Sequence, residues 1–130
     1  MKVYLGPFNE AGTKQTKNIE IDRWDTWSLD HTLAHIIAPA LMQLRVTTHG
    51  APRVFDDDVP EHLQSPEGHN PYEDDVDENW FARWNYVLDE MIFAFTKIRD
   101  TDDIDWNEEE HDRVDEGLRL FGKYYRSLWD

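Results

Sequence analysis

Residues 78–98 read ENWFARWNYVLDEMIFAFTKI, and this stretch decides the fold class. Apolar side chains recur in it every three or four residues, which predicts an amphipathic α-helix. They occupy most of the helix circumference, so we expect this helix to lie at the centre of the protein. Asp77 can cap its first turn. The apolar side chains of this helix are Phe81, Trp84, Leu88, Met91 and Phe95, widened by Trp80, Val87, Ile92 and Ile98.

Two further helices are predicted, one on each side of this central helix. Ser28 is a plausible N-cap for a helix that runs to about residue 46, and Asn107 for a helix over about 108–128. Pro39 lies inside the earlier helix and removes one backbone hydrogen bond, so we expect a kink or a break there. The apolar stripes comprise Leu29, Leu33, Ile36, Ile37, Ala40, Leu41 and Leu44 in the earlier helix, and Val114, Leu118, Phe121, Tyr125 and Leu128 in the later one.

The remaining segments predict a small hairpin and a long loop. Residues 2–5 and 19–22 resemble short strands on either side of a polar loop. A two-stranded hairpin is marginal alone, so we expect it to pack on the helices. Residues 47–77 show neither helical nor strand periodicity, and a loop of that length is usually functional or disordered.

The predicted fold class is therefore mainly α (formally α+β), in a single domain over residues 1–130. It has a three-helix core, a small N-terminal β-hairpin and a long acidic loop between helices one and two. The side chains that we expect to be largely buried are Leu33, Ile37, Trp84, Leu88, Met91, Phe95, Leu118, Phe121 and Tyr125.

The charge of the chain is unevenly distributed. There are 28 acidic residues against 13 Lys and Arg, for a net charge of −15. Ten carboxylates lie between Asp56 and Glu78 without any Lys or Arg, and ten between Asp100 and Glu116 with one Arg. Such crowding favours a basic protein partner or divalent cations. It argues against direct binding of nucleic acid, which needs a Lys/Arg surface, and against an anionic membrane surface.

The sequence lacks several features on which particular classes of function depend. The chain has no cysteine, which removes disulfides, thiolate ligands and cysteine nucleophiles. The longest apolar run, residues 36–42, is too short to span a bilayer, and no signal peptide is visible, so we expect no membrane association and an intracellular location. There is no Gly-rich phosphate loop and no nucleophile motif, which favours a binding protein over an enzyme.

The leading hypothesis is a protein that acts by protein–protein interaction. The two acidic stretches flank the central helix in sequence and could converge on one surface. Such a surface could occupy a basic groove of another protein, in the manner of a nucleic-acid mimic. The predicted partner-binding residues are Asp56, Asp57, Asp58, Glu73, Asp74, Asp75, Asp102, Asp103 and Asp105.

The alternative hypothesis is a divalent-metal-dependent phosphohydrolase that acts on a nucleotide. Carboxylates that face each other from two helices can hold a divalent cation, and two His four residues apart on a helix can share a metal. The leading hypothesis needs no cofactor, whereas this one needs a divalent cation. Its candidate ligands are Asp30, His31, His35, His49, Asp89 and Glu90.

Five segments together carry a resemblance to a known group. They are IDRWDTWSLD at 21–30, HGAP at 49–52, DDVP at 57–60, WNYVLDEMI at 84–92 and LFGKYYRSLWD at 120–130. The chain resembles an uncharacterised family of small acidic proteins encoded by tailed bacteriophages. The resemblance implies a phage origin, expression in the cytoplasm of the infected bacterial cell, and a basic protein surface of host or phage as the partner, in a role such as host takeover. It implies no activity and no functional residues, and the oligomeric state stays open.

Overall fold

The computed structural model describes residues 1–66 and 76–130 and confirms the predicted fold class. Two antiparallel strands, β1 (Lys2–Phe8) and β2 (Gln15–Glu20), form the N-terminal hairpin. The helices are α1 (Leu29–Thr47), α2 (Trp80–Asp100) and α3 (Glu108–Tyr124). Short 3-10 helices lie between or after these elements, at Arg23–Thr26, Asp56–Asp58, Glu61–Leu63, Asp103–Asp105 and Tyr125–Ser127.

The helix ends follow local capping chemistry. Asn107 is the N-cap of α3 as predicted, because its side chain accepts a hydrogen bond from the Glu110 N–H at 2.8 Å while Glu110 accepts one from the Asn107 N–H at 3.2 Å. The N-cap of α2 is Asn79, two residues after the predicted Asp77. Asp77 instead accepts a hydrogen bond from the Asn79 N–H and pairs with Arg83. The predicted break at Pro39 is absent, since α1 runs through it continuously.

The outer helices α1 and α3 both pack antiparallel on α2. Arg45 near the end of α1 pairs with Asp89 in the first half of α2. On the other side, Glu90 pairs with Arg113 and Lys97 with Glu110, so α2 and α3 run in opposite directions. α2 is therefore the central helix, as its sequence predicts.

The core lies around α2, but α1 and α3 face it with different side chains than predicted. Trp84, Leu88, Met91 and Phe95 are buried as expected. The expectation was wrong for Leu33 and Leu118, each 38% exposed, and for Tyr125, 61% exposed. Ile37 and Phe121 are partly buried at the edge. The buried cluster comprises Ala34, Ala38, Leu41, Val54, Val59, Trp84, Val87, Leu88, Met91, Phe95, Leu120 and Tyr124.

Gly117 explains the orientation of α3. A Cβ at this position would lie 2.5 Å from the Glu90 carbonyl oxygen and 2.6 Å from the Ala94 Cβ. The backbones of α2 and α3 can approach this closely only because Gly117 has no side chain. This contact turns Leu120 and Tyr124, rather than Leu118 and Tyr125, toward the core.

The described part of the long loop, residues 48–66, is packed on the helices. Val54 and Val59 are buried in the core. Backbone carbonyls of the loop accept hydrogen bonds from α2 side chains: Ala51 O from Trp80 Nε1 at 3.0 Å, and Leu63 O from Arg83 Nη1 at 3.0 Å. This half of the acidic loop is therefore a structural element.

The hairpin was expected to pack on the helices, but most of its residues are exposed. Val3 pairs with Ile19 and Leu5 with Lys17, and the register shifts between Leu5 and Phe8. All strand residues except Gly6 and Gln15 are exposed. The Met1 amino group lies 2.7 Å from Asp25 Oδ1, which joins the start of β1 to the 3-10 turn before α1. Among the described residues, no helix is long and apolar enough to cross a membrane.

Candidate functional site

The acids predicted to bind a partner lie before and after α2. The described members of the first group, residues 56–58, precede Trp80, and Asp102, Asp103 and Asp105 follow Asp100. At a rise of 1.5 Å per residue, the 21 residues of α2 span about 30 Å. The second acidic stretch continues into α3, which runs back along α2, and there Glu116 and Asp58 both pair with Arg119. The two stretches therefore meet at Arg119, whereas Asp102, Asp103 and Asp105 lie in the turn between α2 and α3.

Asp58, predicted to bind a partner, is instead a buried structural carboxylate. Its side chain is 2% exposed. It accepts hydrogen bonds from Arg119 Nη2 at 2.7 Å, from Lys123 Nζ at 2.6 Å and from the Tyr124 hydroxyl at 2.5 Å. Burial opposes ionisation of Asp58, but these three donors outweigh it and hold its pKa below the ordinary value. A carboxylate saturated in this way has no exposed lone pairs for a basic partner.

The two residues before Asp58 differ in role, because Asp56 is also structural whereas Asp57 is exposed. Asp56 is half-buried, and its Oδ1 accepts hydrogen bonds from the Ser65 N–H at 2.8 Å and the Ser65 hydroxyl at 3.0 Å. Asp57 faces solvent. Glu73, Asp74 and Asp75 lie outside the described residues. The acids before α2 that the structure describes thus largely hold the loop in place.

The acids after α2 form an exposed group, which we call the acidic corner. Asp102 caps the 3-10 turn by accepting a hydrogen bond from the Ile104 N–H at 3.1 Å, and the turn presents Asp103 and Asp105 to solvent. The first turns of α3 continue the group, and carboxylates at a helix N-terminus are favoured by its dipole. The acidic corner comprises Asp102, Asp103, Asp105, Glu108, Glu109 and Asp112.

Within the described residues, the cations near the acidic corner are paired with other acids. The Lys and Arg side chains of α2 and α3 pair with other acids: Lys97 with Glu110, Arg99 with Asp100 and Arg113 with Glu90. Hydrogen bonds from Lys97 and from the Asn107 backbone lower the pKa of Glu110. In residues 1–66 and 76–130, none of the six acids of the corner forms an ion pair. Their potential therefore extends into solvent and can attract a basic surface.

An apolar and aromatic rim adjoins these carboxylates. Ile104, at the tip of the 3-10 turn, is 81% exposed. Trp106 donates a hydrogen bond from Nε1 to the Thr101 hydroxyl at 2.7 Å, and its ring meets the His111 ring edge to face at 5.1 Å. These contacts hold the turn between α2 and α3 in one conformation, so the carboxylates are presented on a rigid support.

A polar cleft of about 260 Å³ lies between the start of α1 and the acidic corner. Its lining brings Asp30 and His31 of α1 near Asp103, His111 and Asp115. His111 was not singled out from the sequence and Asp115 was not among the predicted ligands, although their four-residue spacing on α3 was visible there. Only the packing of α1 and α3 on the same helix shows that they share a cleft with His31.

The six candidate metal ligands are distributed over the protein. The Asp30 and Asp89 side chains are 71% and 55% exposed, whereas that of Glu90 is 12% exposed, so only Glu90 of these three carboxylates faces inward. Asp89 pairs with Arg45, and Glu90 forms two 3.0 Å hydrogen bonds with Arg113. Over residues 1–66 and 76–130, no group of three or more His, Asp or Glu side chains is arranged to hold a metal ion.

The histidine candidates lie far apart. His49 follows α1 and contacts the Asp130 carboxylate, whereas His31 lies in the first turn of α1. The length of α1 separates these two by about 27 Å, at 1.5 Å per residue. His35 Nδ1 lies 2.8 Å from the His31 carbonyl oxygen, so that ring nitrogen is engaged by its own helix.

Comparison of the chain with protein-family models, with curated proteins and with solved structures finds no match.

Proposed function

We propose that this protein acts by binding a basic surface of another protein through the acidic corner. The observation that carries the proposal is the set of six exposed carboxylates that form no ion pair within the described chain. Exposed ion pairs contribute little individually. A group of like charges on a rigid support nevertheless accelerates the encounter with an oppositely charged partner, most strongly at low salt.

The rest of the protein supports a binding role. Three cations of α2 and α3, Lys97, Arg99 and Arg113, pair with Glu110, Asp100 and Glu90 rather than with the acids of the corner. Asp102 and the Asn107–Glu110 capping box fix the backbone on either side of the corner. The partner therefore meets a preformed array, which lowers the entropic cost of binding. Because the chain resembles phage-encoded proteins, basic proteins of the bacterial cytoplasm are the first candidates for this partner.

Zero-length carboxylate–amine cross-linking in bacterial lysate tests this proposal. We expect cross-linked peptides that join Asp102, Asp103 or Asp105 to lysines of one partner, with a yield that falls as salt rises. The triple variant Asp102→Asn, Asp103→Asn, Asp105→Asn should associate more slowly with that partner and with a weaker dependence on salt, while Asn at 102 still caps the turn.

A matched control removes the same charge elsewhere. Glu10, Glu20 and Glu61 are exposed and lie outside the corner, so the triple variant Glu10→Gln, Glu20→Gln, Glu61→Gln should keep the cross-link and the rate of association. The proposal is overturned if the corner variant folds and associates with the same partner at the original rate and with the original salt dependence.

A further inference from the structure

A large uncovered apolar area of the described chain lies at its N-terminal end. The hairpin, the 3-10 turn at Arg23–Thr26 and the outer face of α1 expose many large apolar side chains. Trp27 is 82% exposed, Trp24 62% and Phe8 59%. This N-terminal apolar surface comprises Val3, Leu5, Phe8, Ile19, Ile21, Trp24, Trp27, Leu29, Leu33 and Ile36.

The hairpin has too little support from its own chain. A two-stranded hairpin is marginally stable at best unless a hydrophobic face packs on something else. Val3, Leu5 and Ile19 share one face of the hairpin, as their register shows, and all three are more than 40% exposed. Between this hairpin and α1 lies an open cleft of about 490 Å³, lined among others by Val3, His35 and Ile36. The hairpin therefore stands away from the helix that would have to cover it.

The size of this surface matches a protein–protein interface. A fully buried aromatic side chain covers about 150–250 Å², so three aromatic rings and seven aliphatic side chains at these exposures present on the order of 1,000 Å². The largest apolar patch of a typical monomer is about 300–600 Å², and a standard interface buries about 800 Å² on each partner. The surface is thus too large for an ordinary monomer and large enough for a stable dimer.

The distribution of charge along the chain favours a second copy of this chain as the partner of this surface. Residues 1–28 contain four Lys and Arg against four Asp and Glu, while residues 29–130 contain nine against 24, which is the whole net charge of −15. Two copies of this chain repel each other through residues 29–130 but not through a neutral N-terminal segment. A two-fold contact also joins the same patch of both copies, so one interface covers both exposed hairpins at once.

We propose that the N-terminal apolar surface is the interface of a homodimer in which two copies of this chain cover each other's hairpins. Trp27 and Trp24 are its anchors, because large aromatic side chains dominate the binding energy of such interfaces. The acidic corner lies across a cleft from the start of α1 and is not part of this surface, so the inference does not rest on the partner proposed above.

Sedimentation velocity on the full chain, over a range of micromolar concentrations, tests the inference. We expect a mass near twice the chain's 15.5 kDa, with dimerisation strengthened by salt because salt screens the repulsion between the two acidic bodies. Trp27→Glu should raise the dimer dissociation constant by more than about tenfold, and Leu5→Glu should act in the same direction. Circular dichroism establishes which of these two variants are folded. If only one of them is folded, its dimer dissociation constant tests the inference.

Val46→Glu is the matched control. Val46 is 76% exposed but lies at the opposite end of α1, so this variant introduces the same charge on an equally exposed apolar position outside the proposed interface. It should dimerise like the unmodified chain. A chain that stays monomeric at every concentration overturns the inference, as does a folded Trp27→Glu variant that dimerises as well as Val46→Glu.

Discussion

The carboxylate of Asp58 and the hydroxyl of Tyr124 are joined by a buried hydrogen bond of 2.5 Å across 66 residues of sequence. Tyr124 also accepts a hydrogen bond from the Phe55 N–H at 3.1 Å, so its side chain holds the loop at two points. Burial and then the bond to Asp58 raise the pKa of Tyr124 above its ordinary value. This pair fastens the loop between α1 and α2 onto the last turns of α3.

Replacing Asp58 by Asn should destabilise the fold by about 2–3 kcal/mol, the cost of losing charge-assisted hydrogen bonds at a buried site. Arg119 and Lys123 are partly exposed and can turn to solvent, which keeps the loss below that of a fully buried pair. Urea denaturation measures the change. Asp57→Asn, at the exposed neighbouring position, should change stability by less than about 0.5 kcal/mol. Equal effects of the two substitutions would contradict the structural role of Asp58.

Acid should abolish the contribution of Asp58. Its pKa is lower in the folded state than in the unfolded chain, so the folded state binds fewer protons and the stabilisation is complete above the unfolded pKa of about 4. Below about pH 4 the stabilisation is lost progressively as the folded-state carboxylate is protonated. The stability difference between the unmodified chain and Asp58→Asn should therefore be constant near neutral pH and shrink below about pH 4. A difference that grows on acidification would show that another group controls it.

Gly117→Ala should destabilise the protein by about 1–3 kcal/mol, because the new Cβ would collide with the Glu90 carbonyl oxygen of α2. Gly122 lies in the same helix, and a Cβ there would have no neighbour within 4 Å. Gly122→Ala should therefore stabilise by up to about 1 kcal/mol, the helix propensity gained over Gly. Thermal and urea denaturation of both variants measure the contrast. A gain in both would mean that α2 and α3 are not in close contact.

Leu120→Ala should cost about 2–5 kcal/mol, since Leu120 is completely buried. Leu118→Ala should cost less, roughly 1–2 kcal/mol, because its side chain is 38% exposed. Chemical denaturation of the two variants tests the orientation of α3 directly. The opposite order would show that α3 faces the core with the stripe predicted from the sequence.

Sodium chloride should raise the melting temperature, because the repulsion among crowded carboxylates is screened. The variant Asp102→Asn, Asp103→Asn, Asp105→Asn should melt higher at low salt and respond less to added salt. The control Glu10→Gln, Glu20→Gln, Glu61→Gln has the same net charge but neutralises separated acids, so its response to salt should stay close to that of the unmodified chain. Equal shifts in both variants would assign the effect to net charge rather than to the acidic corner.

Local chemistry was readable from the sequence. The cap at Asn107, the three-helix fold class and the apolar stripe of α2 from Trp84 to Phe95 were predicted, because capping and helical periodicity depend on residues within about four positions of one another. Phe81, predicted in the same stripe, is 51% exposed. The exposure of Asp102, Asp103 and Asp105 was also predicted, since a short polar turn between two helices has no core to enter.

Contacts between distant segments were decided only by the tertiary structure. Both Leu118 and Leu120 are apolar, and the close approach of Gly117 to α2 determined which of them is buried. Residues 56, 57 and 58 are all Asp, but folding buries Asp58, half-buries Asp56 and leaves Asp57 exposed.

The arrangement of the acidic stretches follows from the same distinction. Sequence alone showed twenty carboxylates in two stretches around one helix. Only the packing of α3 on α2 brought Glu116 of the second stretch to Arg119, which also pairs with Asp58 of the first. Asp58 is buried with hydrogen bonds from three donors that lie 61 to 66 residues away, on Arg119, Lys123 and Tyr124. Charge density is a property of neighbouring residues in the chain, whereas burial of a carboxylate requires donors that only folding brings within hydrogen-bonding distance.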